Sequence, residues 1–165
     1  MSEHEFPVDR TAILNFAAAV GETNPIYWDE AFAKTTPLGG ILAPPTFGIA
    51  SALWNPEYGL RGTRQIPSRA EPRAPRESGG GGGSGGGGSL ARVLHGEQRF
   101  EYKKPLQPGM QLSVSSRSGK SWEKEGKKGG KLKFSETITE YRDASGELVL
   151  VATSVGVLTE KAVER

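Results

Sequence analysis

The amino-acid sequence predicts an α+β domain in which an antiparallel sheet wraps a long buried helix. Three observations carry that reading. Apolar residues recur at helical spacing early in the chain, they alternate with a period of two in its second half, and Ile41 to Trp54 is apolar on nearly every side.

The elements follow in order. Ile13, Phe16, Ala17 and Val20 fall at i, i+3, i+4 and i+7, which predicts a helix over Asp9 to Val20 with those four on its buried face. Asp9 suits its cap or first turn and Gly21 its stop. Asn24-Pro25 forces a bend, because proline disfavours the helical region in the residue before it. Asp29 then starts a short helix, Glu30 to Thr35, that Pro37 and the Gly39-Gly40 pair close. Pro44-Pro45 suits a helix entry, where backbone N–H groups have no partner in any case. Phe47, Ile49, Ala50, Leu53 and Trp54 follow, with the small residues Gly48, Ser51 and Ala52 letting the helix lie close against a sheet, and Asn55-Pro56 ends it.

Beyond Pro56 the chain changes material. Arg61, Arg64, Arg69, Arg73 and Arg76 alternate with Pro67, Pro72 and Pro75, and a nearly pure Gly/Ser run from Ser78 to Ser89 follows. Such composition cannot bury enough surface to offset its ordering entropy, so a flexible loop is expected, with a Gly/Ser run that is either native or an introduced linker. The arginines read as a solvated basic arm, or as contacts to a phosphate or an acidic partner.

The remainder reads as strands. Leu94, Gly96, Gln98, Phe100 and Tyr102 alternate with His95, Glu97, Arg99 and Glu101, which puts His95 on the polar face. Pro105 to Gly109 turns the chain, and Met110, Leu112 and Val114 share one face of a second strand that Trp122 continues. After a turn over Glu125 to Gly130, Lys131 to Tyr141 alternates again, and Asp143-Ala144-Ser145-Gly146 is a hairpin signal. Leu148 to Leu158 is apolar on both faces, as a central strand requires. A short strand near Glu5 to Val8 or Ile41 to Ala43 would complete the sheet. Residues 1–57 thus form the helical part, 58–92 the loop, 93–160 a four-stranded sheet of the same domain and 161–165 a tail. Helices, a loop and then strands around a buried helix is the element order of a single hot-dog fold.

Composition narrows the function. The 165 residues are one domain's worth, the net charge of +2 argues for no nucleic-acid partner, and the absence of cysteine excludes thiolate chemistry and disulfides. No apolar run approaches the roughly 20 residues of a membrane span, and the first residues carry no signal-peptide pattern, so a cytoplasmic protein is expected. His4 and His95, far apart and without HxxxH or HxxE spacing, give no metal site, and the Gly run lacks the Gly-Lys-Ser/Thr ending of a phosphate loop.

One stretch carries chemistry. Gly21-Glu22-Thr23-Asn24-Pro25-Ile26-Tyr27 resembles the G-D-x-N-P-x-H signature of MaoC-like (R)-specific enoyl-thioester hydratases and dehydratases. Phe16 to Ala19, Ala43-Pro44-Pro45-Thr46-Phe47, Leu94-His95-Gly96-Glu97-Gln98 with Phe100 and Tyr102, and Pro105 to Gly109 extend the likeness, most closely to the FAS1-like dehydratase N-terminal-type domain. The resemblance implies a hot-dog fold acting on enoyl or 3-hydroxyacyl groups carried by CoA or acyl-carrier protein, with no cofactor. In catalytic relatives the aspartate and histidine hold and activate the water that adds to the double bond. Here Glu22 and Tyr27 stand at those catalytic positions. Tyrosine, with an ordinary pKa near 10, does not supply a base tuned to neutral pH. The resemblance also implies backbone N–H groups at the buried helix's start aimed at the thioester carbonyl. Pro44 and Pro45 remove two of them, leaving Thr46 and Phe47.

The chain is therefore expected to be a substrate-binding half, with Asn24, Pro45, Thr46, Phe47 and His95 against the acyl thioester. It would work as a homodimer, or as a heterodimer with a catalytic MaoC-like hot-dog. Each residue has a plainer reading beside this one. Glu22 would cap a turn, Asn24 would hold its own bend, Tyr27 would pack half-buried, and His95 would be solvated or at an interface. Lys103, Lys104, Lys127 and Lys128 would steer phosphates or an acidic carrier. A non-catalytic hot-dog scaffold and an acyl-CoA thioesterase using Glu22 are the competing functions.

Overall fold

The computed structural model describes residues 3–56, 93–126 and 130–160. The Arg/Pro and Gly/Ser stretch, and Lys127 and Lys128, lie outside them. Strands β1 (Glu3–Pro7), β2 (Val93–Tyr102), β3 (Gln111–Gly126), β4 (Gly130–Arg142) and β5 (Leu148–Thr159) form one antiparallel sheet in the order β1-β3-β4-β5-β2. Of the two candidates for a first strand, the N-terminal one joins the sheet, pairing Phe6 with Leu112 and His4 with Val114. Strand β5 is interior, between β4 and β2, which agrees with its apolar faces.

Helix α1 spans Arg10–Ala19, and the Asp9 carboxylate accepts the Ala12 N–H at 2.9 Å as its N-cap. Its inward face is Ile13 and Ala17, with Phe16 packed edge-on to Phe47 at 5.5 Å. Val20, expected on that face, is instead the exposed C-cap, because the helix has ended before the turn that would carry it inward. Helix α2 occupies Glu30–Thr35, capped by Asp29 through the Phe32 N–H.

The central helix corrects the sequence reading. Ile41 to Thr46 is not helical, and Phe47–Trp54 is a 3₁₀ helix of 8 residues rather than a long buried α-helix. Two prolines supply no N–H to start the ladder, so the chain tightens into 3₁₀ geometry only at Phe47. The segment is also buried on one side alone. Phe47, Gly48 and Ser51 face the sheet, while Ile49 and Leu53 point outward and are exposed.

What fastens this helix to the sheet is a close approach and a buried tyrosine. A Cβ on Gly48 would lie 2.7 Å from the Leu150 Cδ2, so any larger residue there would have to displace that buried side chain. Tyr141, on β4, donates its hydroxyl hydrogen to the Gly48 carbonyl at 2.9 Å. Having spent its one hydrogen there, it accepts from the Ser51 hydroxyl at 2.9 Å. Phe6, Phe47, Leu112, Val114, Tyr141 and Leu150 form the centre of the core around these contacts. Phe6 also meets Trp54, at the helix's other end, at 5.1 Å.

Candidate functional site

The bend that carries Glu22, Asn24 and Tyr27 is built from local hydrogen bonds. Gly21, at φ +74, follows the C-cap; its N–H bonds to Ala18 O and that of Glu22 bonds to Ala17 O, the paired closure of a Schellman motif. This fixes where the Glu22 side chain leaves the backbone, and it leaves exposed to solvent. Two residues on, the Asn24 side-chain oxygen accepts the Ile26 N–H at 3.0 Å and caps a single 3₁₀ turn, Pro25–Tyr27. Asn24 is thus occupied in holding its own bend, with its side-chain oxygen turned back on the chain. Ile26 O accepts the Leu42 N–H at 3.2 Å, and Ala43 N–H reaches Leu106 O at 2.8 Å, so the bend is tied to the segment that leads into Pro44-Pro45.

Tyr27 is half-buried at the end of that turn. Burial, and secondly the negative charge of Glu22, raise its pKa above the ordinary 10. Tyr102, on β2, sits within the electrostatic reach of Tyr27 and donates its hydroxyl to Pro45 O at 2.8 Å. Burial, with the neighbouring Tyr141 and Tyr27 second, pushes its pKa up to about 12. Both phenols are therefore neutral near pH 7. Tyr27 can donate a hydrogen bond, whereas Tyr102 has given its one hydrogen to Pro45 O; neither can take a proton.

At the helix entry, Pro45 and Thr46 are exposed and Phe47 is fully buried. The Phe47 N–H is already given to Pro44 O at 2.9 Å. The Thr46 N–H bonds to no described residue, so it is free to meet a carbonyl. The structure thus brings Glu22, Tyr27, Pro45 and Thr46 to neighbouring positions and adds Tyr102. The sequence marked Tyr102 as an apolar-face position of a strand and as part of the family likeness, with no role at the bend. Its hydrogen bond to Pro45 joins residues 57 apart, and nothing in local pattern announces it.

His95 is placed differently from the sequence reading. Strict alternation put it opposite Phe100 and Tyr102, but the register of β2 shifts between His95 and Glu97. His95 pairs with Gly156, Phe100 with Ala152 and Tyr102 with Leu150. Those β5 partners are all separated by even intervals, so His95 shares the helix-facing side with Phe100 and Tyr102. Gly96 absorbs the shift, since a Cβ there would lie 2.8 Å from the Val157 Cγ2. His95 is exposed, seven residues along the strand from Tyr102, and stands apart from the bend that holds Tyr27.

Among the described residues no group of three or more His, Cys, Asp or Glu could hold a metal ion, and no helix is long and apolar enough to cross a membrane.

Comparison with known proteins supports the fold and the family. The profile of the FAS1-like, dehydratase domain region matches residues 1–152. A UPF0336 protein of Thermobifida fusca is 32% identical over 111 residues, covering 63% of this chain and 55% of that protein. A probable enoyl-CoA hydratase alpha subunit of Thermomonospora curvata is 27% identical over 149 residues, covering 87% of this chain and 42% of that protein. The chain spans roughly half the length of these curated relatives. Among solved structures, the C-terminally truncated HadBC (3R-hydroxyacyl-ACP dehydratase) complex of Mycobacterium tuberculosis matches with a TM-score of 0.63 at 19% identity, covering 93% of this chain and 89% of that one. At that identity the likeness speaks to the fold, which is a hot-dog.

Proposed function

Because the chain belongs to the FAS1-like dehydratase domain family, we propose that it is the substrate-binding half of an acyl-thioester hydratase or dehydratase. Its ligand is an enoyl or 3-hydroxyacyl group on CoA or acyl-carrier protein. The observation that carries this reading is Tyr27. The bend is intact, but its base position holds a phenol whose pKa burial and Glu22 raise further, away from the neutral range a general base needs. Glu22 retains a carboxylate, exposed to solvent and without a histidine beside it among the described residues to share the water. Tyr27 acts as a neutral donor, Tyr102 braces the Pro45 carbonyl beside it, and the Thr46 N–H points the thioester carbonyl.

A catalytic partner follows from this assignment. Strand β2 is an edge of the described sheet, and an unpaired edge is a template for a second hot-dog. The HadBC structure is a complex of such subunits, which supports a heterodimer whose other member brings the base. A titration of the purified chain with crotonyl-CoA tests the binding role. Saturable binding that Tyr102→Phe weakens is the expected result; no binding of any acyl-CoA contradicts it.

A further inference from the structure

The helix-facing side of the sheet changes character along its length, and the change coincides with a cavity. Following the paired registers across β3, β4, β5 and β2, the row Val114, Tyr141, Leu150, Tyr102 packs against the central helix. The next two rows on the same face are Ser116, Thr139, Ala152, Phe100 and then Ser118, Thr137, Ser154, Gln98. A cavity of about 290 Å³ opens between these rows and the helix, whose Ile49, Ser51, Ala52 and Asn55 form its other wall. Ser116, Thr139, Ser154 and Gln98 line it half-buried. Among the described residues no Lys, Arg, Asp or Glu does, and His4 is the single titratable side chain besides Tyr141.

We propose that this cavity receives the distal end of the acyl chain and that it selects an acyl group bearing a neutral oxygen function, such as a hydroxyl, over a plain alkyl chain. The inference rests on the thioester reading above and narrows it. Tyr102 stands at the thioester end and Gln98 at the cavity, four residues along one face of β2, which is roughly 13 Å. Phe100 lies between them and is the apolar stretch that the middle of a chain would cross. Past Phe100 an alkyl terminus would strip water from hydroxyls and an amide without replacing the hydrogen bonds, and sites built to bond an oxygen reject analogues that lack it. Ser116 and Thr139 share one hydrogen bond at 2.9 Å, which leaves each hydroxyl with capacity for a ligand oxygen. A charged terminus is disfavoured for the complementary reason. The described lining residues offer no fixed counter-charge, so against them an ammonium or carboxylate would stand unpaired.

The test compares octanoyl-CoA with its ω-hydroxy counterpart by calorimetric titration of the purified chain. The hydroxylated ligand is expected to bind about tenfold tighter, the scale of one added hydrogen bond. Thr139→Val should erase the preference while leaving octanoyl-CoA binding unchanged or improved. Ser154→Ala, which removes only a half-buried hydroxyl, makes the same comparison should the first variant not fold. Equal or tighter binding of octanoyl-CoA by the unaltered chain overturns the polar selectivity and leaves the thioester reading standing. A preference that survives both substitutions overturns the assignment to this cavity. Binding of neither ligand overturns both readings.

Discussion

Two tyrosines decide most of what can be said at the scale of single residues. Tyr141 is buried, and its hydroxyl bonds both the Gly48 carbonyl and the Ser51 hydroxyl, tying the helix to the sheet. Tyr141→Phe should cost about 1–3 kcal/mol of unfolding free energy, measured by urea denaturation, because it leaves two buried groups without their partner. A change below a few tenths would mean that packing and the His4 Nε2 bond to Ser51 O at 3.0 Å hold the helix without it. Tyr27 carries the functional argument, and its residue type was legible in the sequence by itself: a phenol where a base is needed. The sequence could not show that the surroundings raise its pKa further, since that depends on burial and on Glu22 across a turn. Nor could it reveal Tyr102, whose bond to Pro45 is made by the tertiary fold.

The elements were read with uneven success, and the reasons are physical. Helix α2 and the strands follow their caps, periodicities and turn residues, which act over a few neighbouring positions. The central helix did not follow, because Pro44-Pro45 suits a helix entry equally well whether the ladder starts at once or tightens late into 3₁₀ geometry. His95 fell on the other face because a single bulge reverses every side chain beyond it. The β4–β5 hairpin is the element with a testable electrostatic device. The Asp143 carboxylate accepts from Ser145 Oγ at 2.6 Å, from the N–H groups of Ser145 and Glu147 at 3.0 Å each, and from Lys104 Nζ at 3.0 Å. Chiefly through Ser145 and then Lys104, its pKa is held down from 3.8 to about 2. A carboxylate depressed in the folded state contributes stability that is fully present above its unfolded pKa and is lost as pH falls through the folded one. The denaturation midpoint should therefore drop between about pH 4 and pH 2 in part through Asp143. Asp143→Asn should flatten that portion of the profile; an unchanged profile would show that the hairpin cap does not contribute.

At the scale of the whole molecule, the antiparallel sheet was the most legible feature, since period-two alternation and hairpin turns specify it without reference to anything distant. The order β1-β3-β4-β5-β2 was not legible, because which strand lies at an edge depends on contacts between segments far apart in sequence. That order matters to function. It places β2, the strand that carries Tyr102, Phe100 and Gln98, where a second subunit could extend the sheet beside the site. On the proposed function, the chain keeps the binding frame, the base comes from a partner, and the β2 edge is where that partner docks.

Hydration of a short trans-2-enoyl-CoA by the purified chain alone, followed as loss of the enoyl absorbance, tests that account most directly. It predicts that the folded chain binds the thioester and does not hydrate it at enzyme-like rates. Clear hydration that disappears in Glu22→Ala would contradict it, and would make Glu22 the base of a complete active site.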